Sequence, residues 1–179
     1  RQTWDHDKIQ LVLINTSPDA AFGEAVRRWL QDCDYRRFHY VELQVGAPGL
    51  ADEKRTDASD LGREEVLREV YLAMIRIWNE ARKYIFSNYL WIVEDDVIPP
   101  PDTAEELLRC FCPKTISVCA PYRHRYEDAY VVWGPDRKCL QRGEGVQQVA
   151  GNGFGCTMIR AAYFRETAFG YSETNCEAD

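Results

Sequence analysis

Tyr89-Leu90-Trp91-Ile92-Val93-Glu94-Asp95-Asp96-Val97-Ile98-Pro99-Pro100 is five apolar residues running into three adjacent acids, then two more apolar residues and a run of prolines. A short, β-prone apolar run closed by prolines reads as a strand buried on both faces. The acids then stand at its carboxyl end, where open α/β sheets place their ligands. Strand alternation puts Glu94 and Asp96 on one side. Three neighbouring carboxylates repel one another unless something positive joins them, and a hard divalent cation with oxygen ligands is the natural partner. The pattern points to a metal-assisted site for an anionic, phosphorylated substrate. The competing reading is a set of solvated loop residues or a helix cap.

Working outward, 179 residues, 45% of them hydrophobic, fit one domain over 1–179 with ample material for a core. The aromatic content argues against disorder. A net charge of −7, with no basic cluster longer than Arg27-Arg28 or Arg36-Arg37, argues against a nucleic-acid partner. The seven cysteines are an odd number without a C-x-x-C pair, and Cys110 with Cys112 has no second pair at zinc spacing. They read as free thiols of a reducing compartment, which implies a cytoplasmic location. No stretch approaches the roughly eighteen apolar residues of a membrane span. No secretory leader is visible, and the chain reads as trimmed at both ends.

Lys8 to Ile14 predicts a first strand, followed by Asn15-Thr16-Ser17-Pro18-Asp19, with Ser17 as helix cap and Pro18 in the first helical position. Phe22, Val26, Trp29, Leu30 and Cys33 recur at helical spacing to about Asp32. Phe38 to Val45 alternates as a second strand, and Gly46 to Asp60 is a long polar loop. From Arg63 to Phe86 a stripe of Val66, Val70, Ala73, Met74, Ile77, Ala81 and Ile85 predicts a long helix. Asp102 to Glu105 has the form of a capping box before a short helix to about Phe111. Thr115–Ala120 predicts a buried strand. Ala129–Trp133 and Lys138–Arg142, around Gly134 to Arg137, predict a hairpin. Gln147–Ala150 and Cys156–Arg160 predict strands, and Ala161–Ala168 a helix. Strands alternating with helices imply an α/β fold with a mainly parallel, twisted sheet flanked by helices and a late antiparallel hairpin.

The strand, acidic triplet and following Val-Ile-Pro resemble the D-x-D motif of nucleotide-sugar-dependent glycosyltransferases of the GT-A fold, most like family 2. Asn79, in Arg76-Ile-Trp-Asn79, stands where that family has Arg-Asn on a helix, with Trp78 replacing the arginine. Gly151-Asn-Gly-Phe-Gly-Cys-Thr-Met-Ile-Arg160 is similar to the family's glycine-rich turn and strand ending in arginine, and Glu177-Ala-Asp179 to its last acidic motif. The resemblance runs through nearly the whole chain as short motifs in order. It implies a Rossmann-like GT-A domain that moves a sugar from a nucleoside-diphosphate donor to an acceptor hydroxyl, with inversion, using Mn²⁺ or Mg²⁺.

In that frame Asp96 coordinates the metal, Glu94 assists directly or through water, and Asp95 turns to the ribose or a structural partner. Asn79 contacts the donor. Asn15, Thr16 and Ser17 line the nucleotide pocket or form only a polar turn and cap. Glu42 accepts from a base or ribose or is a solvated strand residue, and Arg63 meets the diphosphate. Asp179, with Glu177 second, takes the acceptor proton, or the segment is a frayed tail. Tyr122, Arg123 and His124 shape the acceptor pocket, although a lone His124 is ordinarily a loop residue. Gly153, Phe154 and Gly155 make a turn that lets the acceptor approach the backbone, since a strand after G-x-G-x-G does not suit a dinucleotide fingerprint. The acceptor itself (glycan, lipid, protein or small molecule) is left open. A sugar-phosphate nucleotidyltransferase would carry a glycine-rich, basic loop after the first strand, where this chain has Asn15 to Asp19. A D-x-D-x-T phosphohydrolase would carry threonine after its acids. A noncatalytic GT-A-like binding domain remains the third alternative.

Overall fold

Gln10–Asn15 is extended and forms β1, and Arg37–Glu42 forms β2, in a computed structural model that describes residues 3, 5–45, 60–123, 128–136, 138 and 145–170, with backbone only for 60–67. The chain is mixed α/β. Its contacts divide it into two compact units, Arg1–Asp5 with Phe86–Phe164, and His6–Ile85 with Arg165–Asp179. No helix among the described residues is long and apolar enough to cross a membrane.

In the His6–Ile85 unit, β1 and β2 pair in parallel from Gln10↔Arg37 to Asn15↔Glu42. Parallel neighbours need a crossover, and α1, Ala20–Asp32, supplies it. The cap differs from the expected one. Asp19, extended at φ −79° and ψ 108°, accepts from the Ala21 N–H, while Ser17 Oγ accepts from the Asp19 N–H. The Ser17 hydroxyl is thus engaged one step too early to cap, and Pro18 precedes the helix instead of opening it. Gly23 and Leu30 are the buried residues of α1, whereas Phe22 and Trp29 are each 51% exposed. The buried stripe is rotated away from the aromatic one because α1 meets β2 through Gly23. The long helix α2, Asp60–Ala81, continues as a 3-10 turn at Arg82–Tyr84. Its predicted stripe is half-buried at Val70, Ala73, Met74 and Ile77 and buried at Ala81 and Ile85.

In the Phe86–Phe164 unit, β3 is Tyr89–Val93, α3 is Thr103–Arg109, β4 is Ser117–Cys119 and β7 is Cys156–Arg160. The sheet order is β3-β7-β4, with β7 antiparallel to both neighbours. β3 and β4 therefore run the same way, and the later strand β7 fills the gap between them. Four consecutive residues of β7, Cys156–Ile159, are buried, so it is β7, between two neighbours, that is covered on both faces. β3 has only one neighbour among the described ladders: Ile92 is buried, Val93 is 40% exposed, and Tyr89, Leu90 and Trp91 are half-buried. The expectation of burial on both faces thus fits β7 better than β3.

Period-2 alternation puts Tyr89 and Trp91 on the face shared by Met158 and Cys156. Ala104 and Leu107 of α3 complete the core there. Arg160, at the end of β7, donates through Nε to the Thr115 carbonyl at 2.7 Å and through Nη2 to the Cys112 carbonyl at 2.9 Å. Its guanidinium lies over the Tyr89 and Phe111 rings at 5.7 and 5.5 Å. The arginine of the family-like motif therefore locks the chain after α3 to the sheet.

Two local expectations change here. Asp102 lies in the helical region at φ −93° and ψ 0° and makes no side-chain cap, because capping needs an extended residue whose oxygen turns back to the first N–H groups. Glu105 faces Arg109 instead, at 3.6 Å. The second strand of the expected hairpin lies almost wholly outside the described residues. β5, Val132–Trp133, pairs with β6, Gly151–Asn152, in antiparallel register. Gly134 donates to the Lys138 carbonyl at 3.0 Å, which closes the intervening turn, while 139–142 lie outside the described residues. Strand structure begins at Gly151, after the expected Gln147–Ala150. The described ladders are thus one parallel and three antiparallel, where a mainly parallel sheet was expected. The last helix, α4, spans Ala161–Glu166.

Met158 is 3% exposed at the centre of β7. Met158→Ala is expected to lower unfolding free energy by about 2–4 kcal/mol, read as a lower urea midpoint with an unchanged slope; a loss under about 1 kcal/mol would mean the sheet closes over the gap.

Candidate functional site

The acids leave β3 as a tight turn. The Glu94 carbonyl accepts from the Val97 N–H at 3.1 Å, which places Asp95 and Asp96 at the two central positions. The three carboxylates are therefore arranged by a turn and not by strand alternation. Glu94 is half-buried, and Asp95 and Asp96 are exposed. The Glu94 N–H donates to the Gly155 carbonyl at 3.1 Å. This extends the β3–β7 register, which ends at Val93↔Cys156, by one bond. The acidic turn and the glycine turn are thereby joined through backbone.

Tyr122, just after β4, is the third part. Its Oη accepts from the Gly155 N–H at 3.1 Å. A Cβ on Gly153 would lie 2.3 Å from that Oη, and one on Gly155 would lie 2.4 Å from Tyr122 Cζ. Contacts that short do not occur, so both glycines are required by the phenol. The close approach expected of an acceptor is made here by Tyr122. Burial pushes the Tyr122 phenol upward, the Gly155 N–H opposes it, and the negative charges of Glu94 and Asp96 push it up further. The hydroxyl therefore stays protonated at neutral pH and lies within the field of both acids. Beneath the turn, Asn152 Nδ2 donates to the Gly153 carbonyl at 2.8 Å and to Thr157 Oγ1 at 2.6 Å. The buried Thr157 hydroxyl donates to the same carbonyl at 2.8 Å. Phe154 packs on Phe164 with ring centroids 6.4 Å apart.

Trp91 Nε1 is buried without a hydrogen bond of ordinary geometry. The Cys156 thiol, one pleat along β7, still feels that N–H, which favours its thiolate, but burial is the larger effect and raises the thiol. Arg123 is exposed and faces Asp128 at 3.8 Å. His124 lies outside the described residues. So do Glu177 and Asp179.

The other predicted residues belong to the His6–Ile85 unit. Asn15 is buried: its Oδ1 accepts from the Ser17 N–H at 2.9 Å and its Nδ2 donates to Tyr40 Oη at 2.9 Å. Tyr40 Oη donates to Glu42 Oε1 at 3.0 Å, and Arg27 Nη2 meets the same oxygen at 2.6 Å. Arg27 also lies over the Tyr40 ring at 5.1 Å. A Cβ on Gly23 would come within 2.9 Å of Glu42 Oε1. Asn15 and Glu42 are thus brought together, by Tyr40, Arg27 and Gly23, none of which stood out in the sequence. Their only signal was the alternation that put Tyr40 and Glu42 on one face of β2. Ser17 serves the turn, and Thr16 is exposed. Arg63 is in α2, with its side chain outside the description.

Asn79 changes role. Its Nδ2 donates to the Phe169 carbonyl at 2.8 Å and its Oδ1 accepts from the Phe169 N–H at 3.3 Å. Arg82 donates to the Thr167 carbonyl at 2.7 Å. The carboxamide is committed at both ends to holding the segment after α4, which leaves it poorly suited to the expected donor contact.

Among the described residues no three His, Cys, Asp or Glu side chains come together as a set able to hold a metal ion. Glu94 and Asp96 both act on the Tyr122 phenol, and two carboxylates suit Mg²⁺ or Mn²⁺ when phosphate oxygens and water complete the shell. No family model matches this chain, and no curated protein sequence matches it.

Asn79→Ala is expected to cost about 1–2 kcal/mol of stability in a urea titration while leaving nucleoside-diphosphate affinity unchanged. A loss of affinity at constant stability would return Asn79 to the donor site.

Proposed function

We propose that this chain is a GT-A-like domain that transfers a sugar from a nucleoside diphosphate to an acceptor hydroxyl, with Glu94 and Asp96 as its metal ligands. The observation that carries this reading is the acidic turn at the end of β3, tied through Glu94 to the glycine turn before β7, with a neutral phenol beside both. Open sheets present ligands at strand ends, and two carboxylates on a turn give a cation an oxygen-rich, half-solvated seat. When bound there, Mn²⁺ or Mg²⁺ neutralises charge on a diphosphate leaving group. The arrangement of β3 and β4 in one direction with α3 between them supports a Rossmann-like core, which the parallel β1–α1–β2 unit repeats.

The chain's own groups then have separable tasks. Asp96, exposed at the turn, would hold the cation, and the half-buried Glu94, held by its backbone, would supply the second carboxylate. Asp95 is directed to the ribose or to solvent. The acceptor oxygen attacks the anomeric carbon, the bond from that carbon to the diphosphate oxygen breaks, and the acceptor proton passes to a carboxylate, for which Asp179 and then Glu177 are the candidates. Attack opposite the leaving group inverts the anomeric centre. The free thiols of Cys33, Cys110, Cys112, Cys119 and Cys156 support a reducing, cytoplasmic setting.

Isothermal titration of Mn²⁺ with a panel of nucleotide sugars tests the reading. The parent is expected to bind one nucleotide class only with metal, and Asp96→Ala to weaken that binding by at least about tenfold. Equal nucleotide binding by the variant, with or without metal, would remove the acids from the site.

A further inference from the structure

The glycine turn raises a question of its own: why Gly153 and Gly155 are glycines at all. Among the described residues the only glycine at positive φ is Gly145, so neither position needs glycine for its backbone conformation. Both need it for space, because a Cβ on either would strike Tyr122 at 2.3 or 2.4 Å. On Gly153 it would also come within 2.7 Å of Val131 Cγ1. The Tyr122 backbone is fixed as well, since its carbonyl accepts from the Val131 N–H at 3.0 Å and the Val131 carbonyl from the Gly153 N–H at 3.2 Å. Tyr122 is thus seated in backbone on two sides. Its hydroxyl holds the N–H of the one residue whose carbonyl holds the acidic turn.

We propose that Tyr122 is a positioning residue for the carboxylates of Glu94 and Asp96, acting through the relay Tyr122 Oη, Gly155 N–H, Gly155 carbonyl, Glu94 N–H. This rests on the reading of those acids as a metal site. The physical reason is geometric. Asp95 and Asp96 occupy an exposed turn, and two mutually repelling carboxylates on such a turn drift apart unless its first residue is anchored. β3 supplies an anchor only as far as Val93, where its register with β7 ends. The bond from Glu94 to Gly155 is the first one beyond it, and Gly155 lies in a turn whose conformational freedom is large. The Tyr122 ring removes that freedom by contact, and its oxygen fixes the direction of the peptide. Groups that orient ligands without touching the metal are worth tens-fold in affinity.

Two measurements on the full chain separate this role from ordinary packing. Tyr122→Phe keeps the ring against the glycines and removes only the oxygen. Amide hydrogen exchange is expected to quicken by about tenfold at Gly155 and Glu94, with the Ile92 amide in mid-strand keeping its parent rate. Mn²⁺ affinity, titrated with uridine or guanosine diphosphate present, is expected to fall by about tenfold. Gly155→Ala, which forces the ring away, gives a second route to the same quickening at Glu94. In a Tyr122→Ala background the added methyl finds space, and Gly155→Ala there is expected to change Glu94 exchange no further. Parent-like exchange at Glu94 in both single variants overturns the proposal. So does parent-like Mn²⁺ affinity in Tyr122→Phe when the parent binds the ion. If the parent itself binds no Mn²⁺, the glycosyltransferase reading fails, while the exchange rates still decide whether Tyr122 holds the turn.

Discussion

A single backbone hydrogen bond, from the Glu94 N–H to the Gly155 carbonyl, joins the two sequence features from which a function can be argued. It exists because β7 runs antiparallel to β3, so that the start of one strand lies against the end of the other. Residues more than fifty positions apart in sequence then face each other across one pleat. The acidic turn, the glycine turn and Tyr122 follow from that register. Shift it by one residue and Met158 leaves the core face, and the Glu94 N–H loses the Gly155 carbonyl.

The energetics of the unit support such fixity. β7 is buried along four residues, Arg160 ties its end to the carbonyls of Thr115 and Cys112, and Thr157 with Asn152 satisfies the Gly153 carbonyl from within. Asp95 and Asp96 are exposed and Glu94 is half-buried. A site of this kind has a rigid floor and a solvated rim, which suits a cation that exchanges water for phosphate oxygens.

Much of this was legible in the sequence and some was not, for identifiable reasons. The limits of β3 were readable because five apolar residues meet three acids abruptly, and α1, α2 and β7 were readable from period and length. Strand direction was not. Cys156–Arg160 looks the same as a parallel or an antiparallel strand, and only its pairing with β3 and β4 decides it. Caps misled in two places, at Ser17 and Asp102, because capping depends on the φ and ψ of the residue, which the residue type biases without fixing. The sequence around Asn79 suggests a donor contact, yet its partner, Phe169, lies ninety positions on and nothing local announces it. The role of the glycines was half legible: close approach was foreseen, but the approaching group is Tyr122. Tyr40 and Arg27 carry no local signal of the network they join, because a tyrosine and an arginine on a strand and a helix have ordinary places on a surface.

Paramagnetic broadening tests the location of the cation most directly. With backbone amides assigned, a Mn²⁺ titration in the presence of a nucleoside diphosphate is expected to broaden Glu94, Asp95, Asp96 and Gly155 first, with Val118 and Ile159 affected later. Broadening that begins elsewhere, for example at Glu105 and Glu106 of α3, or that rises evenly over the chain, would contradict a metal seat at the end of β3.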